Sequence, residues 1–323
     1  MKKIKIGILG CADIVKRLIA PNIISSQNFE LYAFASRSEE KVNQFSSLFG
    51  GKKIIGYDNL LKLDEIQAVY IPLPISFHFE WIMKALKSGK HVFSEKSIAL
   101  NFIEVSEIIN EAKKRKLCVF ENFMFPYHSQ FNFVKNKIGN GIIGDIRMLK
   151  SSFGFPIFNY ENNIRYKKKL GGGALLDAGA YTLMASQLFL GMNQKVISSF
   201  LNKHNEEVDF FGAITLVNEK SIVSQLSFGF DNHYSNDIEL WGSKGKITIE
   251  KAFTSGENHL PKIKILNQGI SKSYELATDN QFMNILNDFY DSIIHNRFFK
   301  QFEIILAQSK LIDDVIKFNQ SNE

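Results

Sequence analysis

Over roughly the first third of the chain, short apolar runs alternate with amphipathic stretches. Apolar runs at 4–9, 31–35, 68–72, 91–94 and 118–121, several rich in β-branched residues, predict five strands. Between them a helical pattern begins near residue 14 and recurs at 39–49, at 77–88 (ended by Gly89) and at 103–115. Strands that alternate with single helices are joined by βαβ crossovers, and these build a parallel, doubly wound sheet.

After about residue 125 the rhythm changes. A helical stretch at 129–138 leads through Gly139-Asn140-Gly141 to a strand at 146–153. A long loop, three consecutive glycines and a helix over 174–190 follow. Strand-like runs at 196–201, 210–216, 221–228, 237–241 and 246–249 come next, most separated by turns with Gly or Asn, and a helical segment begins at Asn280. The predicted fold class is α/β, with an N-terminal Rossmann domain (1–122, doubly wound parallel sheet) and a C-terminal α+β domain (123–323, mostly antiparallel open sheet). The C-terminal helix is a candidate to pack back on the first domain. There is no internal repeat, low-complexity tract or flexible linker.

Composition narrows the function classes. The 323 residues are 45% hydrophobic and 22% charged, ordinary values for a globular protein. The net charge of +6 is spread in short runs such as Lys113-Lys114-Arg115-Lys116 and Lys167-Lys168-Lys169. Diffuse charge of this kind predicts solvated faces rather than a nucleic-acid surface, and a mild positive bias suits anionic small ligands such as dinucleotides and sugar nucleotides. Cys11 and Cys118 lie in apolar stretches without metal-ligand spacing, so both read as buried thiols in a reducing cytoplasm, and no metal site is expected. The N-terminus runs straight into a strand pattern, leaving no room for a signal peptide, and no apolar run nears the roughly 20 residues of a membrane span. The expectation is a soluble protein of the cytoplasm.

The first strand ends in Gly10-Cys11-Ala12-Asp13-Ile14. A glycine there permits a tight turn that sets a helix N-terminus against a pyrophosphate, although Ala12 and Val15 stand where a G-x-G-x-x-G motif has its later glycines. The second strand ends in Ser36-Arg37-Ser38, with no carboxylate until Glu39. A carboxylate there would take the ribose 2′-hydroxyl of NAD, whereas an arginine with flanking hydroxyls suits the 2′-phosphate, so the expected cofactor is NADP(H). Further on, Gly171-Gly172-Gly173 precedes a helix on which Asp177 and Tyr181 stand four residues apart, one face of a regular α-helix. Gly179 between them lowers helix stability unless something packs closely on it.

These segments, with Pro72-Leu73-Pro74-Ile75-Ser76-Phe77-His78, Glu95-Lys96-Ser97 and Ile238–Ile249, resemble the glucose–fructose oxidoreductase/inositol dehydrogenase (Gfo/Idh/MocA) family over nearly the whole chain. Glu95-Lys96-Ser97 stands where the family has Glu-Lys-Pro, and Ile75 where it commonly has Asn. The resemblance implies that Pro72, Leu73 and His78 lie along the cofactor and that Glu95 contacts the nicotinamide ribose. It implies that Lys96 sits beside the substrate carbonyl, and that Asp177 and Tyr181 form the active-site motif in its tyrosine-bearing branch. Glu121-Asn122-Phe123-Met124-Phe125 and Asn163-Ile164-Arg165 resemble segments of bacterial sugar-nucleotide 3-ketoreductases. They imply a cofactor contact at Asn122 and substrate contacts at Tyr127, His128 and Arg165. The strands after Ile238 resemble the family's sheet, whose open face buries against a second subunit, implying a homodimer or homotetramer.

The chemistry expected from these residues is NADPH-dependent reduction of a keto group, at C3, of a dTDP-type deoxysugar. Tyrosine, with an ordinary pKa of about 10, is protonated at neutral pH and can donate to the carbonyl oxygen. The Lys96 ammonium would polarise the carbonyl and stabilise the phenolate left behind, and Asp177 would hydrogen-bond substrate hydroxyls or fix the nicotinamide-side network. Two other readings are an NADP-dependent dehydrogenase of a free sugar, polyol or trans-dihydrodiol, and a non-catalytic ligand sensor on the same fold.

Overall fold

The structure is a computed structural model describing residues 3–204 and 207–321. Its contacts divide the chain into two units. One comprises the residues up to 122 together with Phe282–Leu306, the other Phe123–Gln281 together with the residues from 307 on.

The first unit is built on six parallel strands: β1 (Ile4–Leu9), β2 (Phe29–Ser36), β3 (Lys52–Ile55), β4 (Ala68–Ile71), β5 (His91–Ser94) and β6 (Val119–Glu121). Their order is β3-β2-β1-β4-β5-β6, so the winding reverses between β1 and β4, the place where a Rossmann sheet takes its dinucleotide. The sequence pattern predicts five of these strands and misses β3. Its Lys52-Lys53-Ile54-Ile55 lies at the sheet edge with three of four residues exposed, so it carries no continuous apolar run. A π-helical turn (Val15–Ile19) continues into α1 (Ala20–Ser25), followed by α2 (Glu39–Phe49), α3 (Tyr57–Leu61), α4 (His78–Lys87) and α5 (Phe102–Arg115). Ser38 caps α2 and Asn101 caps α5, each accepting a backbone N–H from three residues on.

The second unit contains α6 (Ser129–Gly139), α7 (Ala180–Leu190) and eight strands. These are β7 (Ile146–Gly154), β8 (Gln194–His204), β9 (Val208–Asn218), β10 (Val223–Gly229), β11 (Ser235–Gly242), β12 (Gly245–Glu250), β13 (Lys262–Asn267) and β14 (Ile270–Glu275). The sheet order is β14-β13-β12-β11-β7-β10-β9-β8, antiparallel throughout except for the β7–β10 pair. The hairpin β13–β14 escapes the sequence pattern. Its turn is Gln268-Gly269, both at positive φ (48° and 79°), and β14 is almost wholly exposed, so alternation fades there.

One face of this sheet buries Phe210, Ile214, Leu216, Leu226, Phe228, Ile238, Leu240, Ile247 and Ile249. The helix α7 is buried all round, which explains its lack of a polar stripe. Gly179 is the close approach: a Cβ there would lie 3.1 Å from the Phe228 ring of β10. The opposite face keeps Phe200, Phe211 and Trp241 exposed.

The segment after Asn280 forms two helices, α8 (Gln281–His295) and α9 (Phe299–Gln320). Phe289 of α8 is fully buried and its ring lies 5.9, 5.4 and 5.3 Å from those of Phe29, Phe93 and Phe120, on three strands of the parallel sheet. Burial of such aromatic clusters, about 1.5–3 kcal/mol for each phenylalanine, draws a helix distant in sequence into the first unit.

Candidate active site

In the first unit the ends of five strands bring the sequence-predicted cofactor residues to the C-terminal edge of the sheet. Gly10 follows β1 at φ +134°, a conformation L side chains rarely adopt, and a Cβ there would come within 3.1 Å of Leu73 beyond β4. The chain then turns through Cys11, Ala12 and Asp13, with Val15 N donating to Ala12 O at 3.0 Å. The helix begins at Asp13, and among the described residues no side chain caps it, so its first N–H groups are the kind of donor a phosphate takes. Cys118 is buried as expected but Cys11 is half-buried, and burial still pushes the Cys11 thiol up to about 11, leaving it un-ionised at neutral pH.

The three residues after β2 divide their work. Ser36 Oγ accepts from Ser38 N at 3.0 Å and Ser38 Oγ accepts from Lys41 N at 3.3 Å, so both hydroxyls shape the start of α2. Arg37 is exposed, 6.0 Å above the Phe77 ring and hydrogen-bonded to the Tyr57 side chain. Of this trio, the arginine presents charge to solvent.

His78 is fully buried, with Nε2 2.7 Å from Leu73 O and Nδ1 2.8 Å from Ser97 O. Burial pulls its pKa below the ordinary value, and the one N–H of a neutral ring donates to one of these two carbonyls. His78 therefore ties the turn after β4 to the turn after β5, where the Lys96–Ser97 peptide bond is cis.

Glu95 accepts hydrogen bonds from the Tyr70 hydroxyl and from Asn122 Nδ2, the latter at 2.6 Å. Burial pushes the Glu95 carboxyl above its ordinary value against the pull of those donors and of Lys96. Asn122 is buried, and its Oδ1 has no partner among the described residues. Glu121 opens the Glu121–Phe125 segment, where the sequence assigns a role only to its neighbour Asn122. Glu121 is 3% exposed, accepts from Ile98 N at 2.9 Å, and burial pushes its carboxyl to about 8, with Lys96 pulling it down and Glu95 pushing it up. The missed signal was a glutamate in an otherwise apolar strand.

In the second unit Tyr181 opens α7 inside a box of Phe123, Phe125, Phe153 and Phe253, with ring centroids 5.1–5.9 Å away. Its hydroxyl lies 3.8 Å from Met124 Sδ. The turn just before α7, Leu175–Gly179, is π-helical rather than the regular α-helix the spacing predicts. Such turns recur at functional sites. Asp177 sits on this turn and accepts from Arg165 Nε at 2.5 Å. The structure thus pairs two predicted site residues with each other.

The other two predicted substrate residues differ in setting. Tyr127 is half-buried on a 3₁₀ turn (Phe125–Tyr127). His128 is fully buried and caps α6, its Nδ1 accepting from Gln130 N at 3.2 Å, with Asp279 Oδ2 3.8 Å away. Among the described residues no group of three His, Cys, Asp or Glu is placed to hold a metal, and no helix is long and apolar enough to cross a membrane.

Comparison with known proteins assigns the fold. The profile "Oxidoreductase family, NAD-binding Rossmann fold" matches residues 4–123, and "GFO/IDH/MocA C-terminal domain" matches residues 131–248. The chain is 34% identical over 314 residues to a dTDP-3,4-didehydro-2,6-dideoxy-alpha-D-glucose 3-reductase of Actinomadura kijaniata, covering 97% of this chain and 94% of that relative. The chain belongs to the Gfo/Idh/MocA oxidoreductase family. A relative of the same name from Saccharopolyspora spinosa is 35% identical over 87% of this chain and 84% of its own. Among solved structures, a 3-ketoreductase from Actinomadura kijaniata in complex with NADP and TDP-benzene superposes with a TM-score of 0.95 at 33% identity, covering 98% of each chain. As a Gfo/Idh/MocA member the chain is an oxidoreductase, and the first profile spans the parallel sheet while the second spans the antiparallel sheet as far as β12.

Proposed function

We propose that this family member is an NADPH-dependent ketoreductase acting on a keto group, at C3, of a dTDP-linked deoxysugar. The observation that carries the reading is the gathering of Gly10, Arg37, Leu73, Glu95-Lys96 and Asn122 at the C-terminal ends of five parallel strands. The relatives' activity supplies the substrate class.

The residues present fit NADP(H). Gly10 and the helix start at Asp13 suit a pyrophosphate, and Arg37 suits a 2′-phosphate. Asn122 Oδ1, buried and without a partner among the described residues, is an acceptor that a cofactor hydroxyl or amide would satisfy. NADPH, when bound, supplies the hydride.

Tyr181 donates the proton to the carbonyl oxygen, and the aromatic box around it holds its ring in place. Lys96 orients and polarises the carbonyl. Arg165 and Asp177 take sugar or phosphate oxygens, and Tyr127 contributes to the same binding. His128 and His78 act on the site through the backbone they hold. The deciding assay follows loss of NADPH with a dTDP-3-keto-deoxysugar, beside NADP reduction with free sugars and a trans-dihydrodiol. Turnover of the sugar nucleotide supports the reading, and its absence with every sugar nucleotide tried refutes it.

The same reading places the protein in the cytoplasm as a homo-oligomer with a dimer unit formed through the open face of the eight-stranded sheet. On that face Leu266, Lys246, Trp241, Met148, Val223 and Val217 fall in one register row across six strands, mostly apolar side chains on a surface with Trp241 52% exposed. Light scattering on the protein and on Trp241→Glu tests it: a dimer that the substitution splits is expected, and a wild-type monomer would refute it.

A further inference from the structure

Asp209 on β9 has no part in the chemistry above, yet its carboxylate reaches the turn from which that chemistry is built. Oδ2 accepts from Leu175 N at 2.5 Å, and Ala174 N donates to the same carboxylate. These amides belong to the first turn of the helical segment bearing Asp177 and Tyr181, and the residue at its N-cap, Ala174, has no capping side chain. A cap is ordinarily a Ser, Thr, Asp or Asn just before the helix. Here the neighbour is Gly173, and the cap comes from a strand 34 residues further along the chain.

We propose that Asp209 is a positioning residue for the reaction: its carboxylate clamps the start of this helix and so fixes where Asp177 and Tyr181 stand. The inference rests on the functional reading given to those two residues.

The glycines carry the argument further. A Cβ on Gly173 would stand 2.4 Å from Asp209 Oδ1, and its φ of +126° is one that side chains disfavour. A Cβ on Gly172 would stand 2.4 Å from Arg165 O, the same carbonyl to which Gly173 N donates at 2.9 Å. Gly172 and Gly173 are therefore glycines because two groups press on them, the Arg165 backbone from one side and the Asp209 carboxylate from the other. Arg165 then closes the ring through its guanidinium on Asp177, whose own N–H donates to Gly173 O at 3.2 Å. Displacing Asp209 loosens the anchor that Arg165, Asp177 and the start of α7 share. Lys203, its register partner on β8, faces it and favours the carboxylate, while burial pushes the carboxyl up to about 6.

Asp209→Asn, which keeps the volume, and Asp209→Ala test this with two measurements. In hydrogen exchange, the amides of Ala174 and Leu175 should exchange about tenfold or more faster in both variants, with the strands of the sheet unchanged. In steady-state kinetics with the keto-sugar nucleotide, kcat should fall about tenfold or more in Asp209→Ala, while the KM for NADPH stays within about twofold, because a small misplacement of reacting groups is costly. Unchanged exchange in both variants overturns the clamp whatever the substrate. Faster exchange with unchanged kcat overturns the positioning role, as does a kcat loss matched by an equal change in NADPH KM. If Asp209→Ala does not fold, Asp209→Asn decides on the same criteria. A wild-type protein without sugar-nucleotide turnover refutes the functional reading, and the exchange arm then decides the clamp separately.

Discussion

Arg165 and Asp177 meet at 2.5 Å, Nε to Oδ2, with the arginine 40% and the aspartate 19% exposed. A pair this close to water contributes about 1 kcal/mol or less to stability, so its use lies in orientation. Lysine keeps the charge but not the planar fork. Arg165→Lys is expected to lower kcat/KM for the keto-sugar about tenfold, with the melting temperature and the KM for NADPH nearly unchanged. A variant with wild-type kcat/KM would remove Arg165 from the substrate site.

Tyr181 keeps its ring contacts when its hydroxyl is removed. Tyr181→Phe should therefore melt within a few degrees of the wild type while kcat falls about 10²-fold or more, the usual range for loss of a general acid. Full turnover in this variant would transfer the proton-donor role to another group.

On the proposed reading Arg37 carries the charge for the 2′-phosphate, with the Ser36 and Ser38 hydroxyls beside it accepting from the backbone. Arg37→Ala is expected to lower kcat/KM for NADPH about tenfold or more and to leave NADH nearly unaffected, one charge-assisted contact being lost. Parallel kinetics with the two cofactors read this directly, and an equal loss with both would contradict it.

Glu121 sets a pH dependence of stability. Its folded pKa of about 8 lies above the ordinary 4.5, so between those values the native state binds more protons than the unfolded chain. Stability contributed by the protonated form is complete below about 4.5 and is lost as pH rises through about 8. Glutamine cannot ionise and still accepts from Ile98 N. Glu121→Gln should thus be the more stable protein at pH 8, by a few kcal/mol at most, with the gap closing towards pH 4. Denaturant titrations across that range check it, and a gap that widens on acidification would reverse the assignment.

Much of the candidate site was legible because its determinants are local. Gly10, Ser36-Arg37-Ser38, Glu95-Lys96 and Asn122 each follow an apolar run, and the sheet's winding brings strand ends of one direction to one edge. The triple glycine announced a close approach without naming what approached. The approaching groups, the Arg165 carbonyl and the Asp209 carboxylate, lie several and dozens of residues away. Sequence spacing likewise put Asp177 and Tyr181 on one α-helical face, whereas a π-helical turn carries Asp177 onto Arg165. The hydroxyls of Ser36 and Ser38 suit a phosphate by type, and the structure adds that both also accept backbone N–H groups, Ser38 as the cap of α2, while each O–H stays able to donate.

By itself the sequence determined the alternation of strand and helix, the parallel sheet with its glycine turn into the first helix, and the residue types able to move a hydride and a proton. Those depend on backbone sterics, apolar periodicity and side-chain chemistry, all of which act over a few residues. Only the tertiary structure decided that edge strand β3 completes the six-stranded sheet, that Phe289 of α8 covers Phe29, Phe93 and Phe120, and that Asp209 caps a helix it does not precede. Each depends on burial that becomes favourable once distant segments have already met, and no local pattern records which segments those are.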